Sequence, residues 1–410
     1  MIIISQPYIV EKEQTSYLCS LVKDSFLGKE YSLWYSVDSE YGRFLCQEVG
    51  DSFLLIMLQI AMSSHQDIKV EAPVSARLLF NIRNSLMAML MKVLPDSSMI
   101  NIEAEAVDSP FFNAESVGCG CSLGVDSFSS ILKHLENNVT PGYRISHLAL
   151  FNTGQLGDLN LEATDRAFKE NVKRLEPFAS EVGLPLVAVN ANINLPYLDS
   201  RVTLLQSVTL RTISAALALQ KLFKRYIFAS SYSAFNVFFT DKDIEHAESL
   251  IIPQLSTHNT EIILSNPVMT RVQKTAYIAD HPLVQQYLDV CWSTQIANMT
   301  NNDSLLKSKV KRNCGKCDKC LRTLFALELL GKIQFYEDIF DISEYKRYRN
   351  KYIIKIISQR EENEFYGELY DLMTVVRFRV PLYLKLAAFG ARIGLYRMAQ
   401  KIFNITTMAR

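Results

Sequence analysis

The chain predicts an α/β protein: a doubly wound, mostly parallel sheet, preceded by an α+β domain and followed by a helical extension that carries a metal-binding knuckle. Three observations predict it. Strand-like and helix-like segments alternate from about residue 113 to 240, the residues before them mix short strands with one long amphipathic helix, and three cysteines fall within seven positions of a helix-rich last third. These divide the 410 residues into 1–112, an accessory α+β domain; 113–290, a ligand-binding α/β domain; 291–330, a cysteine knuckle; and 331–410, a helical extension.

In the first segment, YSLWYSVDS and DIKVEAPV have the short apolar alternation of strands. SARLLFNIRNSLMAMLMKVL, residues 75 to 94, spaces its apolar side chains as one helix does, and MINIEAEAV reads as a half-buried strand. From 113 the expected strands are Glu115–Cys121, Ile145–Phe151, Leu186–Asn190 and Tyr226–Ser230, with helices at Ser129–Leu135, Leu161–Val182 and Val202–Lys224. Strands that alternate with longer helices make βαβ units and hence a parallel sheet. Beyond about 240 the pattern is mostly helical.

Basic and acidic residues balance at 43 each, so no global field draws the chain to nucleic acid or a membrane. From residue 301 onward 21 basic residues face 12 acidic ones, and no acid follows Asp371. The start, MIIISQPYIVEKEQ, lacks the parts of a secretory signal, and no window reaches the roughly 18 apolar residues of a membrane span. Eight cysteines in a chain of this length do not form a secreted disulfide framework. A cytoplasmic protein with reduced thiols is expected.

The stretch CGCSLGVDSFSS, residues 119 to 130, is unlike ordinary core. It falls where an expected strand meets an expected helix, the place at which open parallel sheets bind ligands. A glycine lets backbone approach an anion, serine hydroxyls donate, and the free amides of a helix start carry about half a positive charge. Such a loop suits phosphate. There is no G-x-x-x-x-G-K-[ST] and no G-x-G-x-x-G, which excludes a Walker loop and a dinucleotide loop. Asp126 or Ser127 acting as a plain helix cap is the alternative reading of the same residues.

KRNCGKCDKCLRT, residues 311 to 323, spaces Cys314, Cys317 and Cys320 as C-x2-C-x2-C, with Gly315 easing the tight knuckle. The nearest upstream cysteine, Cys291, supplies a fourth thiolate. Zinc is the expected metal, and an iron–sulfur cluster is the rival. Cys119 and Cys121 alternate onto one strand face and read as small buried thiols, although a sulfur-carrying pair is conceivable. The six histidines are scattered without ligand spacing. The acid-free tail reads as two helical pieces split at Gly390, with a basic face for solvent, membrane, nucleic acid or a partner protein.

Ser122, Leu123, Gly124, Val125, Asp126 and Ser127 resemble the S-G-G-x-D-S signature of the PP-loop ATP pyrophosphatases, a superfamily similar in fold to the adenine nucleotide alpha-hydrolases and including GMP synthetases, asparagine synthetases and tRNA-modifying ligases. Leu123 stands in place of the first glycine. With the late cysteine set, the chain resembles the 7-cyano-7-deazaguanine synthase branch, whose members hold zinc on four cysteines. LRTISAALAL resembles that branch's R-N-x-x-x-L helix start through Arg211, with Thr212 replacing the asparagine, and TRVQKTAYI resembles its lysine-containing segment through Lys274. The resemblance spans about 115 to 330.

The resemblance implies a PP-loop (HUP-like) fold and an enzyme that cleaves ATP to AMP and pyrophosphate with Mg2+. A carboxylate or amide acceptor would be adenylated for attack by an amine, ammonia or a sulfur nucleophile. It implies a cradle of Ser122, Leu123, Gly124, Val125, Asp126 and Ser127, catalytic roles for Asp126, Ser127, Arg211 and Lys274, and zinc on Cys291, Cys314, Cys317 and Cys320. The acceptor stays open among a 7-deazaguanine-like base, another small molecule, a sugar and a protein, and the first 112 residues are expected to help select it. A homodimer and a nucleic-acid partner also stay open. The rival reading is a non-catalytic nucleotide or nucleic-acid binder that docks through the knuckle and the basic last third.

Overall fold

Five strands of the alternating region lie side by side and parallel: β9 (Ser116–Gly120), β10 (His147–Phe151), β11 (Leu186–Ala191), β12 (Phe223–Ala229) and β13 (Glu261–Ser265). Their spatial order is β13-β12-β9-β10-β11. In chain order that is 3-2-1-4-5 read from β11, the doubly wound order in which successive connections run outward from the first strand to both edges. The order reverses at β9. The expected strands therefore form within a few residues of their predicted bounds, and β13 is an addition in a stretch expected to be helical.

The structure is a computed structural model that describes residues 1–154, 161–291 and 311–392. The chain divides into two units, one of Met1–Ser122 with Asp126–Val268, the other of Leu123–Val125 with Met269–Arg410.

In the first unit the parallel strands continue without a break into the N-terminal segment. That segment contributes β1 (Ile2–Ile4), β2 (Tyr8–Lys12), β3 (Thr15–Asp24), β4 (Lys29–Asp38), β5 (Ile68–Val70) and β7 (Ile102–Glu103) to one 11-stranded sheet. The junction is antiparallel: Ser36 and Tyr35 of β4 pair with Asn190 and Ala191 of β11. Two short strands, β6 (Val74–Ser75) and β8 (Ala106–Val107), pair apart from it. MINIEAEAV is thus two short strands that join different partners.

A separate domain ending near 112 was the expectation, and here residues 1–112 share both sheet and core with 113–268. The helix Asp51–Ser63 shows why. Twelve of its thirteen residues are buried, on every face, among apolar residues from both segments. Polar groups bind the segments as well: Gln59 donates to the Gln206 carbonyl at 2.7 Å and Tyr197 to the Ile56 carbonyl at 2.9 Å. The buried Asp51 carboxylate accepts from the Ser75 amide and hydroxyl and from the Gln220 side chain. The expected helix 75–94 forms as Ala76–Asn81, one π-helical turn Ile82–Leu86, and Met87–Val93.

The second unit is helical: Arg271–Ile278, Pro282–Tyr287, Asp318–Leu329, Ile342–Gln359, Glu364–Val375 and Leu382–Arg392. Thr270 and Gln273 close the first with a capping box. Arg349 grips Glu328 through a forked pair of bonds, and Tyr345 donates to the same carboxylate. Gly390 lies inside the last helix and does not split it. The rest of the basic tail lies outside the described residues. No helix among the described residues is long and apolar enough to cross a membrane.

Candidate functional site

The loop that follows β9 leaves the carboxyl end of the strand at which the sheet order reverses. That is the crevice where open α/β sheets bind ligands. Helix Val125–Lys133 begins four residues after Cys121, so Asp126 and Ser127 stand in its first turn, where the helix dipole favours an anion.

The loop is braced from within. The Ser122 amide donates to the Ser127 hydroxyl at 3.0 Å, and that hydroxyl donates to the Gly120 carbonyl at 3.0 Å. Leu123 has φ +60°, a left-handed conformation that costs a branched residue about 1–2 kcal/mol and a glycine almost nothing. The side chain at this glycine-like position is fully buried. Burial of a leucine side chain is worth about 1.5–3 kcal/mol, enough to hold the backbone there.

Neighbouring strand ends add polar groups at the same edge. Cys119 of β9 is level with Ile227 of β12 and Leu148 of β10, so the residues after β10 and β12 emerge beside the loop. Asn152 donates to Asn190 at 2.6 Å, and Asn190 to Asp165 at 2.8 Å. The fully buried Thr153 hydroxyl has no hydrogen-bond partner among the described residues. After β12, the His246 ring stacks on Tyr232 with centroids 3.7 Å apart, and its Nδ1 lies 2.7 Å from Asp243. Asn266, past β13, donates to the Ser129 carbonyl and hydroxyl and so ties that strand end to the loop's helix. None of these residues carried a spacing signal in the sequence.

Cys119 and Cys121 are buried, and burial raises the Cys119 thiol pKa far above its ordinary value. A thiol so held is a poor nucleophile.

In the second unit, one thiol sulfur from each of Cys291, Cys314, Cys317 and Cys320 lies within 4.8 Å of the other three, so the set could hold a metal such as zinc. Four thiolates about 2.3 Å from one tetrahedral ion stand about 3.8 Å apart, and the Cys314 and Cys320 sulfurs are 3.9 Å apart. A cluster spreads its thiolates over several irons and needs a wider set. The Cys314 amide donates to the Cys291 sulfur and the Cys317 amide to the Cys314 sulfur, each at 3.4 Å, which favours thiolate over thiol. Hydrogen bonds from Cys291, Cys317 and Cys320 lower the Cys314 thiol below its ordinary range. Gly315 has φ +69°, and a Cβ on it would meet the Asp341 carbonyl oxygen at 2.0 Å. The knuckle requires glycine.

The structure thus brings Ser122, Leu123, Gly124, Val125, Asp126 and Ser127 into one turn and the four cysteines to one point. Arg211 and Lys274, expected beside phosphate, are both buried and stand in different units. Arg211 lies on helix Leu204–Ala218 with its guanidinium carbon 3.7 Å from the Tyr197 ring centroid. Lys274 lies on helix Arg271–Ile278. No protein-family model, curated protein or solved structure matches the chain.

Proposed function

We propose that the chain is an ATP pyrophosphatase of the PP-loop kind, which cleaves ATP to AMP and pyrophosphate and activates an acceptor oxygen as its adenylate. The observation that carries the reading is the placement of the Ser122–Ser127 loop at the reversal of the strand order, with its second residue, Leu123, left-handed and its helix opening at once. A carboxylate or amide oxygen is a poor leaving group and AMP is a good one. Cleavage between the α- and β-phosphates builds charge on the departing pyrophosphate. A cradle already in place stabilises that charge without reorganising.

In this reading the Ser122 hydroxyl and the helix-start amides face pyrophosphate, while Ser127 keeps the turn in shape. Asp126 sits in the first turn of that helix, within reach of the cation that accompanies the nucleotide. Magnesium, when bound with ATP, screens phosphate charge. The acceptor is a carboxylate or amide whose adenylate an amine, ammonia or a sulfur nucleophile attacks. The four-cysteine centre is a closed zinc site with a structural role, since four protein thiolates leave no position for substrate.

The test is incubation of the full-length protein with ATP, magnesium and a panel of carboxylate and amide acceptors, assayed for AMP and pyrophosphate. Acceptor-dependent release of both supports the reading. ADP and phosphate as products, or nucleotide binding without cleavage, would refute it.

A further inference from the structure

The second unit contains a direct path from the four-cysteine centre to the loop. The Cys291 amide donates to Oδ1 of Asp289 at 3.3 Å, closing a turn of the kind aspartate forms with the backbone two residues on. The Asp289 amide in turn donates to the Leu123 carbonyl at 2.8 Å. One residue thus touches both a metal ligand and the left-handed residue of the loop.

The segment between them is held on its other side too. The Val290 amide donates to Oδ1 of Asn313 at 2.8 Å, and the Asn313 side chain donates to the Leu288 carbonyl at 2.8 Å. Asn313 directly precedes Cys314 and is fully buried, as Cys291 and Leu123 are. Successive amides of 289 and 290 thus bind the loop and the knuckle in turn. Asp289 joins the backbone of Cys291 to the carbonyl of Leu123 through two successive hydrogen bonds. Groups that hydrogen-bond the residues carrying metal ligands orient those ligands, and losing one typically costs about 10–100-fold in metal affinity.

We infer that Asp289 is a positioning residue that couples the cysteine centre to the loop, so that metal occupancy sets the backbone of Leu123 and with it the shape of the phosphate cradle. The structural half stands on the hydrogen bonds alone, and the functional half rests on the reading of the loop as a cradle. Coupling of this form is reciprocal: nucleotide in the cradle tightens the metal by the same factor that metal tightens nucleotide.

The experiment is amide hydrogen exchange on the full-length protein, read on peptides spanning 120–128 and 286–291, with and without one equivalent of zinc and without nucleotide. At full zinc occupancy Asp289→Ala should raise exchange in both peptides about tenfold, as loss of one well-placed bond does, while Asp289→Asn, which keeps an oxygen acceptor, stays within about twofold of the parent. Stripping zinc from the parent should reproduce the Asp289→Ala pattern and add nothing to it in the variant. Parent-like exchange in zinc-loaded Asp289→Ala overturns the coupling, and so does Asp289→Asn behaving like Asp289→Ala, since charge and not the acceptor would then matter. Titration with an ATP analogue is the separate arm. If the zinc-loaded parent binds none, the cradle reading fails, while the exchange data still decide the role of Asp289.

Discussion

The hydroxyl of Ser127 stands between two backbone groups of its own loop, accepting from the Ser122 amide and donating to the Gly120 carbonyl, each at 3.0 Å. Ser127→Ala leaves both groups without this partner, at a cost of about 1–3 kcal/mol in the local order of the turn. AMP release should fall by about 100-fold or more, because a cradle 1 Å out of place stabilises departing charge poorly. Asp126→Ala should match that loss with a parent-like circular dichroism spectrum. Both variants turning over near the parental rate would remove the loop from the chemistry.

Leu123 makes a prediction that separates strain from burial. Leu123→Ala keeps the left-handed strain and loses buried surface, for a cost of about 2–5 kcal/mol. Leu123→Gly removes one carbon more, yet relieves the strain, and should be about 1 kcal/mol less damaging than alanine. Urea unfolding midpoints of the two variants check this. A glycine variant weaker than the alanine variant would mean that φ +60° costs leucine nothing here.

How much of this was legible depends on where each signal resides. The loop and the cysteine set are local in sequence, so residue type and spacing sufficed to find Ser122–Ser127 and Cys314, Cys317 and Cys320. Helix Leu161–Val182 forms at its expected bounds because its exposed face keeps a period. The helix Asp51–Ser63 is buried all round and has no polar face to mark a period. The pairing of Ser36 with Asn190 joins strands more than 150 residues apart, which no window of sequence reveals. Asp289 is invisible for another reason, since its working group toward the loop is a backbone amide that every non-proline residue has.

The purified protein should carry about one zinc per chain and be colourless, since zinc has a filled d shell. Cys317→Ser should release the metal and lower the stability of the second unit. Gly315→Ala should do the same without removing a ligand, because its Cβ would lie 2.0 Å from the Asp341 carbonyl oxygen. Metal analysis with thermal unfolding checks both. A brown protein that contains iron and sulfide would replace zinc with a cluster, and a zinc-replete Gly315→Ala of parental stability would mean that the knuckle tolerates a side chain.

Two half-buried histidines in the first unit predict acid sensitivity. Desolvation lowers the pKa of His134 and of His147 below the ordinary 6.5. The fold therefore favours their neutral forms. That contribution is complete above pH 6.5 and is lost as pH falls through the lowered folded values. The double variant His134→Gln, His147→Gln cannot titrate, and glutamine can still donate to the Tyr143 carbonyl that faces His134. Its urea midpoint should change less than the parent's between about pH 7.5 and 5.5. Parallel curves over that range would exclude both side chains as the source.

Removal of residues 1–112 is the sharpest test of how the first unit is built. If the segment were an accessory layer, a fragment from 113 would fold and bind nucleotide unaided. Its contacts argue otherwise. Deletion strips β4 from β11 and leaves a parallel strand with an open edge, which invites pairing with other chains. It takes away helix Asp51–Ser63, so Leu210, Ile213 and Leu217 lose the apolar partners that share their core. It also leaves Gln220 without Asp51 and the Tyr197 hydroxyl without the Ile56 carbonyl, in positions that are buried in the intact unit. Each such loss costs about 1–3 kcal/mol, comparable with a sizeable part of a domain's whole stability. The fragment 113–410 should therefore be insoluble or lack a cooperative unfolding transition, and co-expression with residues 1–112 should restore a soluble complex. A fragment that is monomeric, unfolds cooperatively and binds an ATP analogue with full-length affinity would show that the strand pairing at Ser36 and Asn190 contributes shape and not stability.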